Sequence, residues 1–142
     1  TELGLASCSA TMLPKGSVSM SSRATLGDCG ILGKNMCTNQ GFINIFCDEK
    51  ILNIYLLYWI RQNKTYISRY AAGTTFLEIG RRQFKKLRLA IPEIDEQEKI
   101  IDLLTSVDIL LKGKRQKISK LKSLKKALMQ NLLTGKIRVQ AE

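Results

Sequence analysis

Residues 92–135 read PEIDEQEKIIDLLTSVDILLKGKRQKISKLKSLKKALMQNLLTG, and their spacing governs how the rest of the chain is interpreted. Counted from Ile100 in alternating steps of four and three, the positions are Ile100, Leu104, Val107, Leu111, Lys114, Ile118, Leu121, Lys125, Leu128 and Leu132. Only the two lysines interrupt an apolar seam, the pattern of a helix that lays one narrow face against another helix. Pro92 suits a first turn that needs no donor, and Glu93, Asp95, Glu96 and Glu98 place negative charge at the positive end of the helix dipole. Thr134-Gly135 supplies the stop, because glycine takes the left-handed conformation that ends a helix. A continuous helix over this stretch is on the order of 60 Å long. That exceeds what a small core covers, so the spacing predicts pairing with a partner helix rather than packing on its own domain. Gly113 lies off the seam and leaves room for a slight bend.

The 142-residue chain has room for one domain and an appendage, and its 44% hydrophobic content is that of an ordinary globular chain. Its net charge of +11 is unevenly placed: residues 1–80 carry seven Lys/Arg against five Asp/Glu, and residues 81–142 carry sixteen against seven. A solvated helix face accounts for part of that excess, and a nearby polyanion, above all nucleic acid, is the functional reading. Residues 1–13 lack the basic-then-apolar order of a secretory signal, and the most apolar run, 51–60, is half of what a bilayer span needs. Cys8, Cys29, Cys37 and Cys47 form no C-x-x-C pair and there is no histidine, which argues against a zinc site and for a reducing cytoplasm.

Upstream of the helix, Leu13-Pro14-Lys15-Gly16 reads as a turn into a half-buried strand over 17–22. A second extended piece covers 24–32, and a third strand region covers 36–47, broken at Asn39-Gln40-Gly41. Asp48 is positioned to cap a helix over 49–70, followed by a loop over 72–79, a short turn or helix over 81–86 and a last strand over 87–91. These elements predict an α+β fold: a small mixed α/β domain, 1–91, then one long helix, 92–135, and a tail, 136–142.

The enzymatic alternatives fail on residue chemistry. Asp28, Asp48 and Lys50 match the carboxylate and lysine content of a metal-dependent nuclease, but their spacing is common by chance. Gly27, Gly30 and Gly33 recur every three residues, which is no dinucleotide fingerprint, and the absence of histidine removes Ser-His-Asp and Cys-His catalysis.

Leu89-Ala90-Ile91-Pro92-Glu93-Ile94-Asp95-Glu96-Gln97-Glu98-Lys99-Ile100 resembles the I-P-x-x-x-E-Q-x-x-I start of the conserved helix in specificity subunits of type I restriction-modification enzymes. The far end, LKKALMQNLLTGKIRV over 124–139, is similar to the L-K-x-x-L-M-Q-x-L-L-T-G-K-x-R-V end of that helix. Leu13-Pro14-Lys15-Gly16-Ser17, Ser22-Arg23-Ala24-Thr25-Leu26-Gly27, Thr38-Asn39-Gln40-Gly41-Phe42 and Gly73-Thr74-Thr75 are similar to pieces of the family's target recognition domain. The resemblance implies a non-catalytic subunit that reads one half of a split site in double-stranded DNA. It implies helices that hold two recognition domains a fixed distance apart and dock the modification (methyltransferase) subunits and, through them, the restriction subunit. S-adenosylmethionine and ATP belong to those other subunits, so no cofactor is expected on this chain. Family members carry two recognition domains and two such helices, so this chain is expected to be a truncated or half-length form whose first strands precede Thr1.

The residues themselves point the same way. Base readout needs polar side chains at base edges with Lys and Arg beside them on phosphates. The DNA-binding candidates are Arg23, the amide pair Asn39 and Gln40, Thr74 and Thr75 on a glycine loop, and the cluster Arg81, Arg82, Lys85 and Lys86. For Asn39-Gln40-Gly41 and Gly73-Thr74-Thr75, backbone turn chemistry is the competing explanation. The seam residues Ile100, Leu104, Val107, Leu111, Ile118, Leu121, Leu128 and Leu132 predict that the chain does not remain a monomer. The resemblance implies a homodimer with the helices antiparallel, an arrangement that also suits the charges because acidic residues 93–98 then meet basic residues 120–126. A coiled-coil adaptor that binds protein and no DNA is the alternative function.

Overall fold

The computed structural model describes residues 2–73 and 77–140. A short helix α1 (Glu2–Ala6) precedes strands β1 (Val18–Ser21), β2 (Cys29–Ile31) and β3 (Phe42–Ile45), which form an antiparallel sheet in the order β2-β1-β3. Helices α2 (Asn53–Gln62), α3 (Lys64–Ser68) and α4 (Arg81–Phe84) follow, and α5 (Ile94–Leu133) closes the chain as one continuous 40-residue helix. The fold class is α+β, as expected. The chain divides into two compact units, Thr1–Ile101 and Asp102–Glu142.

The core of the first unit gathers Val18 and Met20 of β1, Ile43 of β3, Leu56 and Ile60 of α2, Ile67 of α3 and Ile79. β1 is the central strand and is buried along Val18, Ser19 and Met20, not alternately as residues 17–22 suggested. Its second face carries the small hydroxyl of Ser19 between Gly30 and Asn44 on the neighbouring strands. The turn before β2 holds Gly27 at φ +83°, where an added Cβ would lie 2.9 Å from the Lys64 side chain, so both conformation and space require glycine.

Two expected elements form differently. Asp48 does not cap a helix over 49–70: its carboxylate accepts from the Lys50 N–H at 3.0 Å in a local turn, and α2 starts at Asn53 with Leu52 before it in extended conformation. Beyond that turn the Gln97 side chain bonds both the Lys50 carbonyl and the Leu52 N–H, which holds the segment leading into α2. Asn63 then separates α2 from α3, its side-chain amide donating to the Trp59 carbonyl at 2.9 Å and ending the first helix. Residues 87–91 form no strand: the Leu87 N–H donates to the Phe84 carbonyl at 3.0 Å, the Arg88 N–H to the Tyr66 hydroxyl, and the Tyr55 hydroxyl donates to the Ala90 carbonyl, the last two at 3.3 Å.

The long helix matches its sequence signals closely. It starts two residues after Pro92, with the Glu93 carbonyl accepting the first intrahelical bonds from Glu96 and Gln97. It runs through Gly113 without a break and stops before Gly135, whose φ of +72° is the left-handed conformation that residue permits.

Candidate nucleic-acid interface

The free edge of β3 forms one wall of a groove of about 940 Å³ within the first unit. Asn39 and Gln40 stand at the turn leading into that strand, and Arg81, Phe84 and Lys85 form the facing wall on and just after α4. Residues 81 and 85 are one helical turn apart, so both basic side chains share the face that lines the groove. Residues 8–11 and Leu13 complete the lining.

Local chemistry explains how each group is presented. Asn39 Oδ1 accepts from the Gly41 N–H at 2.9 Å, so the turn explanation is correct for that oxygen, while the exposed Gln40 amide makes no hydrogen bond among the described residues. Asn44, which the sequence reading passed over, donates from Nδ2 to Thr38 Oγ1 at 2.7 Å and ties the turn to the strand. Arg81, Arg82, Lys85 and Lys86 are all exposed and form no ion pair among the described residues. Four uncompensated cations over six residues make this edge attractive to an anion.

The other candidates are distributed differently. Arg82 and Lys86 flank the groove without lining it. Arg23 also lies outside the lining, and its Nε pairs with Glu78 Oε1 at 3.0 Å. Thr74 and Thr75 fall outside the described residues. Burial pushes the thiols of Cys29 and Cys47 up, which keeps them protonated and unreactive. No group of three or more Cys, Asp or Glu side chains among the described residues is placed to hold a metal ion.

The seam residues divide between the two units. Ile100 lies in the first unit and is half-buried, next to Ile101 and Gln97, which are buried in that unit. Leu104, Val107, Leu111, Ile118, Leu121, Leu128 and Leu132 are 38–55% exposed in the single chain. Leu103, Leu110 and Leu124, each 55–69% exposed, recur at a third position of the same repeat and widen the apolar stripe. No helix among the described residues is long and apolar enough to cross a membrane.

A groove of mixed polar and apolar lining that carries unpaired cations, on a small α+β globule that ends in a long amphipathic helix, has the features of a binding module. The chain belongs to the family described as the type I restriction modification DNA specificity domain, whose profile matches residues 1–123. It is 31% identical over 134 residues to the specificity subunit of type I restriction enzyme MjaIX from Methanocaldococcus jannaschii, covering 92% of this chain and 31% of that protein. The putative type I restriction enzyme MjaX specificity subunit of the same organism is 31% identical over 122 residues, 85% of this chain and 29% of that protein. The chain therefore spans about a third of the length of these relatives. The fold is similar to that of the type I restriction-modification S subunit from M. genitalium, with a TM-score of 0.66 at 19% identity over 85% of this chain and 33% of that one.

Proposed function

We propose that the first unit reads one half of a split double-stranded DNA site through the groove beside β3, as part of the specificity component of a type I restriction-modification complex in the cytoplasm. The observation that carries this is the meeting of the amides of Asn39 and Gln40 with the unpaired cations of Arg81 and Lys85 in one groove. Amides bond adenine bidentately in the major groove, and Lys or Arg beside them neutralise phosphates. Arg82 and Lys86 extend the same phosphate contact, and Arg23 acts only if it leaves Glu78. The chain supplies no catalytic group, and methyl transfer and cleavage belong to the modification and restriction subunits it scaffolds.

The exposed seam supports an antiparallel pair of long helices, contributed by a second copy or a second repeat, that holds two recognition domains apart. In that arrangement Glu93, Asp95, Glu96 and Glu98 oppose Lys120, Lys122, Lys125 and Lys126. The test is a titration of double-stranded DNA into the chain assembled with modification subunits, at two salt concentrations. Affinity that falls steeply with salt is the expected result, and its absence would favour an adaptor that binds protein alone.

A further inference from the structure

Gln97 is wholly buried, an uncommon place for a primary amide, and every hydrogen on that amide is used. Its Nε2 donates to the Lys50 carbonyl and to the Pro92 carbonyl, both at 2.8 Å. Its Oε1 accepts from the Leu52 N–H at 2.9 Å. The amide thus ties the turn that leads into α2 to the residues before α5, while standing on the first turn of α5. Gln97 also lies three residues before Ile100, on the backward continuation of the seam, so a position with partner-helix spacing is turned instead to the globule. Glutamine alone meets the demand: glutamate would set a carboxylate against two carbonyl oxygens, and an apolar residue would strand Lys50 O, Pro92 O and Leu52 N without partners.

We propose that Gln97 is a positioning residue for site recognition: its buried amide fixes the start of α5 on the globule and so sets how strictly the complete complex discriminates the separation between two half-sites. The joint follows from the hydrogen bonds alone, whereas its consequence for DNA rests on the function proposed above.

The joint is tested on the full chain carrying spin labels on click-reactive amino acids at Glu49 and Lys99, both exposed and both in the first unit. The native chain is expected to give one narrow interlabel distance and Gln97→Ala a broad one, and an equally narrow distance in the variant would overturn the proposal. Should Gln97→Ala fail to fold, Gln97→Glu decides. Above the titration range its carboxylate repels both carbonyls, and on acidification the protonated acid regains one donor, so the distance should narrow reversibly as pH falls. A width indifferent to pH would again overturn it. For the DNA consequence, complexes carrying native chain or Gln97→Ala are compared on duplexes that differ only in half-site separation. The variant is expected to lose preference for one separation, and a preference kept despite a broadened joint would overturn that consequence. A native complex that binds none of the duplexes would refute the DNA function and leave the spin-label result standing.

Discussion

Val18, Met20, Ile60 and Ile67 in the first unit are fully enclosed, whereas Leu103, Ile109, Leu110 and Leu124 along the helix of the second are more than half exposed. The same residue types serve two purposes. In the globule, burial within one chain supplies the folding energy, at roughly 25 cal/mol for each Å² of apolar surface covered. Along residues 102–133 the apolar stripe stays exposed in the single chain, and the proposed pairing assigns its energy to association. Charge divides differently: residues 1–101 carry thirteen Lys/Arg against nine Asp/Glu, and residues 102–142 carry ten against three.

The sharpest way to break this contrast is to truncate one side chain in each unit. Ile60→Ala should lower the stability of the globule by about 2–5 kcal/mol in denaturant unfolding, because it opens a cavity at a fully enclosed site. Leu121→Ala should leave that transition unmoved and act only on association. Equal effects of the two would show that the helix stripe packs within its own chain.

Association provides the next largest effect. From Leu104 onward the seam residues are already about half covered in the single chain, so pairing adds about 1 kcal/mol for each one it buries. Replacing Leu111 and Leu121 by Asp puts two charges into the interface. Solution mass should show a dimer of the native chain at tens of micromolar and a monomer of Leu111→Asp/Leu121→Asp.

The basic cluster divides by face. Arg81→Ala/Lys85→Ala should reduce the salt slope of DNA binding by roughly 2 while leaving base preference intact, and Arg82→Ala/Lys86→Ala should reduce it by less. Equal losses would mean that the groove face of α4 has no special place in the contact.

The smallest expected effect is at the exposed pair of Asp28 and Lys64. The hydrogen bond and charge of Lys64 hold the Asp28 carboxyl below its usual value. A native pKa below the unfolded one means that the native state binds fewer protons, so the contribution is fully present above about pH 4 and is lost as pH falls through the native value. The difference in Tm between native chain and Lys64→Met should therefore be slight near neutrality and vanish on acidification.

The long helix was legible because its cues are local: a seam of fixed spacing, acidic residues at its start and Gly135 at its end. The cue at Asp48 misled because a carboxylate that caps a helix also closes a local turn, and what holds Lys50 and Leu52 outside the helix is Gln97, 45 to 47 residues away. The strand expected over 87–91 failed for a similar reason, since β-rich composition does not reveal that the Phe84 carbonyl and tyrosine hydroxyls rather than a neighbouring strand bond its backbone. The candidate site was legible as residue types but not as a place. Nothing in the spacing brings Asn39 and Gln40 to Arg81 and Lys85, and the structure does so by setting α4 across the groove from the edge of β3.

Selection of bound sequences from a random DNA library, by complexes carrying native chain or Asn39→Ala/Gln40→Ala, tests most directly whether that groove reads bases. Loss of preference at one or two base positions with an unchanged salt slope is the predicted result. An identical sequence preference in the variant would contradict the assignment of the groove.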